Sequence, residues 1–367
     1  MRRSLVILSL VSAMSASAVA QDAPTSAPSG IAVNPNQVRG DEINDAQKRA
    51  VAKGLKWLAD RQQADGSFSS SKNVAVIALA GLAFMESGSL PDRGEYGHNV
   101  SLCVKFILDS CQESGLIAAE QSSGPMYGHG FATLFLGEVY GMTGDESVKE
   151  KLQKAVSLIE RTQSKQPGNE GGWRYQPAPL DADISVTICQ IMGLRAARDA
   201  GIKVDKDVID KAVQYVRNCQ NADGGFSYMA HQGGGGGSGF ARSAAGVASL
   251  YYAGVFEGND LERGLKYLQQ FTPNRNAAAN PGGQDGMAAE GHYFYGNYYA
   301  VQAMFLAGGD YWAGWYPGVR DQLIARQNEA GNWQGDFTED YATAMALIVL
   351  QMPNRYLPVY SGKGPGS

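Results

Sequence analysis

Beyond the stretch from Leu5 to Val11, the sequence offers no apolar run approaching the ~18 residues that a membrane-spanning helix needs. It has no alternating apolar–polar stretch of strand length, so a sheet-based fold is excluded. Charge of one sign never clusters: the net charge of −5 is spread without long runs, which excludes nucleic acid and an acidic membrane surface as partners. Cysteine is scarce, at 4 of 367 residues. Cys103 and Cys111 lie eight positions apart on one expected helix, about 12 Å by helical rise and beyond the roughly 7 Å Cα limit for a disulfide. Cys189 with Cys219, in adjacent repeats, is the one pairing open to a bridge; the alternative is that all are buried free thiols acting as small apolar fillers.

The ends of the chain read differently from its middle. Arg2-Arg3, the short apolar run and Ala18-Val19-Ala20 form a signal peptide over residues 1–20, cleaved near Ala20, so the expectation is export to the periplasm or beyond. Residues 21–41 are rich in Ala, Pro, Ser and Gly and read as a linker, and residues 362–367 as a flexible tail. The expected folded unit spans 42–361.

What fills that unit is repetition. Six helix-like stretches end in Gln62, Gln112, Gln163, Gln220, Gln270 and Gln327, at steps of 50, 51, 57, 50 and 57 residues. Gly-rich or aromatic turns follow, among them Asp65-Gly66-Ser67-Phe68, Gly171-Gly172-Trp173 and Gly331-Asn332-Trp333. A period of this size marks one supersecondary unit copied along the chain, too small to bury its own apolar faces. Before each glutamine the pattern is amphipathic, as in Val51, Leu55 and Leu58. After each turn it is apolar all round, as in Ala75 to Leu82 and Ala344 to Leu350, so these second helices are covered on every side. The expectation is all-α: one α/α toroid of six hairpins, with an inner helix ring inside an outer one. All inner helices then start on one side, and their free N–H groups and positive dipole ends converge on one mouth, where a ligand site belongs.

The turns together with Met126-Tyr127-Gly128-His129-Gly130, Tyr293 to Ala300 and Asn354-Arg355-Tyr356-Leu357-Pro358 resemble the repeats of the terpenoid cyclase and protein prenyltransferase superfamily. The resemblance covers roughly residues 45–360 and is closest to secreted bacterial prenyltransferase and squalene-oxidase repeat proteins. It implies the toroid; the reactions of the superfamily need residues that must be checked singly. The zinc site of the prenyltransferases requires a His where this chain has Gly296, and the lone Asp-x-Cys, Asp109-Ser110-Cys111, ends an outer helix. No metal and no cofactor is expected. The cyclase acid motif Asp-x-Asp-Asp corresponds here to Asp181-Ala182-Asp183-Ile184. Asp183 holds the acid slot with Asp181 beside it, but Ile184 replaces the last carboxylate; the bland alternative is that Asp183 caps the next helix.

Around the expected mouth, the candidate ligand-binding residues are Tyr127, His129, Arg242, His292 and Tyr295, which differ from repeat to repeat. Trp173, Phe226 and Trp333 recur at one slot and read as structural plugs. Three functions stand open. The first is an exported module binding a hydrophobic, anionic or glycan ligand, or a protein partner, in the mouth. The second is a cyclase-like isomerase with Asp183 as general acid, and the third a glycan lyase or hydrolase on the same scaffold.

Overall fold

The computed structural model describes residues 42–68, 72–119, 124–178, 180–230, 236–273, 292–335 and 337–360. The expected leader, linker and tail lie outside them. The described residues form twelve α-helices, with no strand beyond isolated bridges in the turns. Six are outer helices: α1 (Asp45–Arg61), α3 (Gly97–Asp109), α5 (Glu146–Thr162), α7 (Lys206–Asn218), α9 (Asn259–Gln269) and α11 (Gly309–Ala325). Each is followed by an inner helix: α2 (Val74–Glu86), α4 (Pro125–Thr143), α6 (Ile184–Asp199), α8 (Phe240–Tyr252), α10 (Tyr293–Ala307) and α12 (Glu339–Gln351).

The inner helices pack in the order α2, α4, α6, α8, α10, α12, and α12 returns to α2. The ring is closed. Helix α1 lies against both α12 and α2, and α5, α7, α9 and α11 likewise wedge against two inner helices each. This is the expected α/α toroid of six hairpins. The split in patterning is its cause: inner helices such as α2 and α12 are buried over nearly their whole length, whereas α7 buries only Val208, Ile209, Ala212, Tyr215 and Val216.

The repeat glutamines join one hairpin to the next. Gln163 donates through Nε2 to the Gly171 carbonyl of its own turn (3.0 Å) and to the Val208 carbonyl in the first turn of α7 (2.8 Å). Gln220 does the same to Gly224 and Asp260, and Gln62 to Gly66 and Asn99. Gln327 bonds Gly331 and reaches Ala50 of α1, both at 2.8 Å, so the sixth repeat clasps the first. Gln112 and Gln270 are exposed and do not share this geometry. Beside each clasp a turn glycine with positive φ sits against a backbone carbonyl of the following outer helix. At Gly224 (φ 90°) an added Cβ would lie 2.5 Å from the Arg263 oxygen, and at Gly331 (φ 103°) 2.8 Å from that of Lys53. The aromatic plugs fill the remaining space. Trp173 and Trp333 are fully buried, and their indole N–H groups donate to the Ile159 and Leu323 carbonyls.

The far end of the barrel is covered by the C-terminal chain. Gln351 and Asn354 donate to the Ala83 and Glu86 carbonyls at the end of α2, and the 3-10 turn Pro358–Tyr360 packs on α4 and α6. All four cysteines are buried free thiols, so the Cys189–Cys219 bridge is not formed.

If the clasps hold the ring, Gly224→Ala should cost about 2–4 kcal/mol, since it combines left-handed backbone strain with a carbonyl clash. Gln327→Leu should cost about 1–3 kcal/mol by leaving the Gly331 and Ala50 carbonyls without their donor. Thermal or denaturant unfolding of the two variants measures both; a loss below half a kcal/mol in each would mean that the clasps do not carry ring closure.

Candidate binding site at the helix mouth

Residues at the N-terminal ends of all six inner helices line one cavity of about 1030 Å³. The register is regular. Val76, Tyr127, Arg242, Tyr295 and Tyr341 are each the third residue of their helix, and all five line the cavity; at α6 the second residue, Ser185, takes that place. Tyr175 and Tyr228, from the turns before α6 and α8, complete the wall, with Phe131 one turn deeper on α4.

Of the expected ligand-binding residues, Tyr127, Arg242, His292 and Tyr295 come together here. His129 does not. It is fully buried one half-turn beyond Tyr127; its Nδ1 accepts from the Ile117 N–H (3.1 Å), and Nε2 lies 3.2 Å from the Ala155 carbonyl. With one ring nitrogen accepting, the other donates to that carbonyl, and the imidazole is neutral. Burial brings its pKa down to about 4. His129 is a tie between α4, α5 and the second-repeat turn, and the expected convergence of His129, Arg242 and His292 reduces to the last two. His231 and Asp336, also near the expected mouth, lie outside the described residues.

Asp183 is the N-cap of α6, with its side chain accepting from the Val186 N–H at 2.9 Å. The same Oδ1 accepts from Ser185 Oγ (2.6 Å), and Oδ2 accepts from Arg174 Nη1 (2.8 Å). Asp183 is fully buried behind the cavity wall. Burial raises its pKa, against the pull of Ser185, the Val186 amide and Arg174. Asp181 is partly exposed and pairs with Arg174 Nε at 3.4 Å. Ser185 carries the network to the cavity: its hydroxyl points to Asp183, so Tyr127 donates to Ser185. Tyr175 and Tyr228 bond each other through their hydroxyls, Arg174 Nη1 donates to Tyr228 (3.0 Å), and the guanidinium stacks 4.4 Å from the Tyr175 ring centre. The network ties the tyrosine wall to Asp183 and Arg174.

The opposite character appears at α8 and α10. Gly239 and His292 cap these helices without any side-chain hydrogen bond, whereas Asn73, Asp183 and Thr338 cap α2, α6 and α12. Helix α4 also lacks a side-chain cap, but it starts with Pro125, which has no N–H, and the Met126 N–H goes to the Tyr175 carbonyl (3.2 Å). Arg242 folds back over its own N-cap: a Cβ on Gly239 would lie 2.7 Å from Nε. That Nε is buried and has no hydrogen-bond partner among the described residues. A cation at a helix N-terminus is disfavoured by the dipole, so this end of the cavity is positive twice over. Asp340, the second residue of α12, is buried in an ion pair with Arg61 (2.8 Å), and no carboxylate is among the described lining residues.

The sequence matches the squalene-hopene cyclase C-terminal domain over residues 132–282. No curated protein matches it in sequence. Among solved structures, the α-1,6-mannanase GH76A from Salegentibacter sp. HEL1_6 superposes with a TM-score of 0.61 at 10% identity, covering 84% of this chain and 99% of that one. The cellobiose 2-epimerase from Spirochaeta thermophila gives 0.59 at 12%, covering 84% and 96%. A type II terpene cyclase from Scytonema, bound to its product merosterolic acid A, gives 0.58 at 11%, covering 85% and 98%. Residues 132–282 are terpenoid cyclase-like in sequence, and the fold is the α/α toroid that these structures share. At these identities the solved structures speak for the toroid alone.

The third-residue register could have been read from sequence once each inner helix start was placed, and would have added Val76 and Tyr341 to the candidates. The missing caps at Gly239 and His292 were legible in the same way. Helical periodicity says that Tyr127 and His129, two residues apart, face opposite ways on one helix, but not which of them faces the axis.

The depressed His129 pKa has a consequence for stability. In the unfolded chain the imidazole binds a proton below about 6.5, and in the folded chain only below about 4. Its contribution is therefore complete above the unfolded value and is lost as pH falls across that window, by up to about 3 kcal/mol. His129→Gln should flatten the acid side of the stability–pH profile relative to the parent. Parallel profiles between pH 4 and pH 6.5 would show that the ring titrates freely and is not the buried tie described.

Proposed function

We propose that this chain is an exported, non-cyclising binding module that holds an anionic ligand in its central mouth. Arg242 carries the proposal: a guanidinium at the positive end of α8, lining the cavity, with a buried Nε that no described residue accepts from. Exposed His292 and the uncapped starts of α8 and α10 add donors on the same side. Export rests on the leader-like N-terminus; no described helix is long and apolar enough to cross a membrane.

The cyclase alternative has less support. Protonating an alkene needs a carboxylic acid that presents its proton to the cavity. Both Asp183 oxygens instead accept hydrogen bonds, one of them from Arg174, beneath the wall. Hydrolysis of a glycan by two carboxyl groups would need acids facing each other across the substrate, and the described lining supplies none.

Benzoate, titrated calorimetrically into the purified protein, should bind, and Arg242→Ala should weaken it roughly 10- to 100-fold, the worth of one charge-assisted hydrogen-bonded contact. The unfolding temperature should move by no more than a few degrees, since a partly exposed side chain with no hydrogen-bond partner at Nε among the described residues contributes little to holding the ring. A large fall in unfolding temperature would make Arg242 a structural strut. Steady turnover of squalene by the pure protein would overturn the non-enzymatic reading.

A further inference from the structure

The order of helices around the ring decides what faces what. With α2, α4, α6, α8, α10 and α12 in sequence around the axis, α2 stands across from α8, and α4 across from α10. The cavity is therefore polarised from side to side. Arg242 and His292 stand on one wall beside Ala241 and Tyr295; Ala75, Val76, Gly128 and Phe131 stand on the wall opposite, with Asn73 and Tyr127 there bonded to Ala75 N–H and Ser185. The first wall has the uncapped helix starts; on the second, Asn73 already caps α2, and Pro125 and Met126 leave α4 little to offer. Resting on the anion-binding reading above, we infer that the ligand is a long-chain carboxylate. Its head sits at Arg242 and His292, and its apolar chain lies across the axis against Ala75, Val76 and Phe131.

Three observations select this class. The cavity, at about 1030 Å³, is far larger than a small anion requires and lies at the upper end of the usual range of about 300–1,000 Å³ for ligand pockets. Three of the tyrosines that line the cavity hold protein partners: Tyr127 bonds Ser185, and Tyr175 and Tyr228 bond each other, which leaves one hydroxyl hydrogen of that pair over. A sugar needs many partners for its hydroxyls, whereas rings with occupied hydroxyls suit an apolar body. One guanidinium matches one carboxylate fork, and no second arginine or lysine is among the described lining residues to meet a more highly charged head.

The test uses the full chain with butyrate, octanoate, palmitate, hexadecanol and hexadecyl phosphate, read by calorimetry. Affinity should rise with chain length, up to about fourfold per buried methylene, until the far wall is reached. Hexadecanol should bind at least tenfold more weakly than palmitate. Ala75→Trp, placed at the second residue of α2 and half-exposed, fills the far side. It should compress the palmitate-to-butyrate affinity ratio by tenfold or more. Arg242→Ala should lower both affinities and keep their ratio. Ala75→Leu serves as the milder filling should the tryptophan variant unfold.

If neither a carboxylate of any length nor hexadecyl phosphate binds, both this inference and the anion-binding reading fail. If butyrate binds as well as palmitate, or neither filling substitution changes the ratio, the anion site stands and the chain assignment falls. Tighter binding of hexadecyl phosphate than of palmitate would overturn the carboxylate head.

Discussion

A toroid of hairpins stands or falls on how each hairpin finds the next, and here that join is a glutamine carboxamide beside a left-handed glycine. The carboxamide bonds its own turn and the first turn of the following outer helix, as Gln163 does with Gly171 and Val208. The glycine is needed because the turn lies on the next helix's backbone; at Gly224 no side chain fits under the Arg263 carbonyl. Only a residue that is rigidly positioned and long enough can span two chains in this way, which explains why the repeat is anchored on glutamine rather than on an apolar residue. The sixth clasp differs only in its partner. Gln327 reaches Ala50, so the local chemistry that joins the hairpins after Gln62, Gln163 and Gln220 also closes the ring.

The closure seam carries further ties that have no counterpart elsewhere in the repeat. Gln47 on α1 donates to the Leu350 carbonyl of α12 (2.5 Å) and to the Tyr316 hydroxyl of α11 (3.0 Å). Glu42 accepts from the Trp312 indole at 2.9 Å, and Arg61 pairs with Asp340. The α11 sequence, with Trp312, Trp315, Tyr316 and an internal Pro317, looks unlike the other outer helices for this reason: it packs against both ends of the chain. Those long-range partners have no local signature, since sequence periodicity reports only which face of a helix is apolar.

The same distinction explains what was legible at the site. The ring, the common mouth and the structural role of Trp173 and Trp333 followed from repetition, because a residue recurring at one slot answers to the scaffold. Asp183 as helix cap was readable from its position before Ile184, and the structure places it there. His129 was misplaced for a geometric reason. Tyr127 and His129 are two residues apart, about 200° around the helix, so one lines the cavity while the other turns into the outer ring. The polarity of the cavity was out of reach, because it depends on which inner helices stand opposite each other once the ring has closed.

That polarity is superimposed on a second one along the axis. Six parallel inner helices direct their N-termini to the mouth and their C-termini to the far end, so the barrel carries a positive and a negative pole. At the far end Glu86, the last residue of α2, is buried beside Tyr360 and Glu138; burial, aggravated by Glu138, raises its pKa well above the usual range. Glu138 is pushed up to about 8, again chiefly by burial. Burial thus disfavours charge on both acids at a pole that is already negative and is sealed by Pro358–Tyr360. The mouth solves the opposite problem only in part. Asn73, Asp183 and Thr338 answer three helix starts, and Pro125 and the Tyr175 carbonyl answer a fourth. Helices α8 and α10 are left with Arg242, whose charge adds to the field instead of cancelling it, and with the exposed imidazole of His292. The fold thus concentrates its unanswered field on one side of one open cavity, and an anion is the group that lowers the energy of that arrangement.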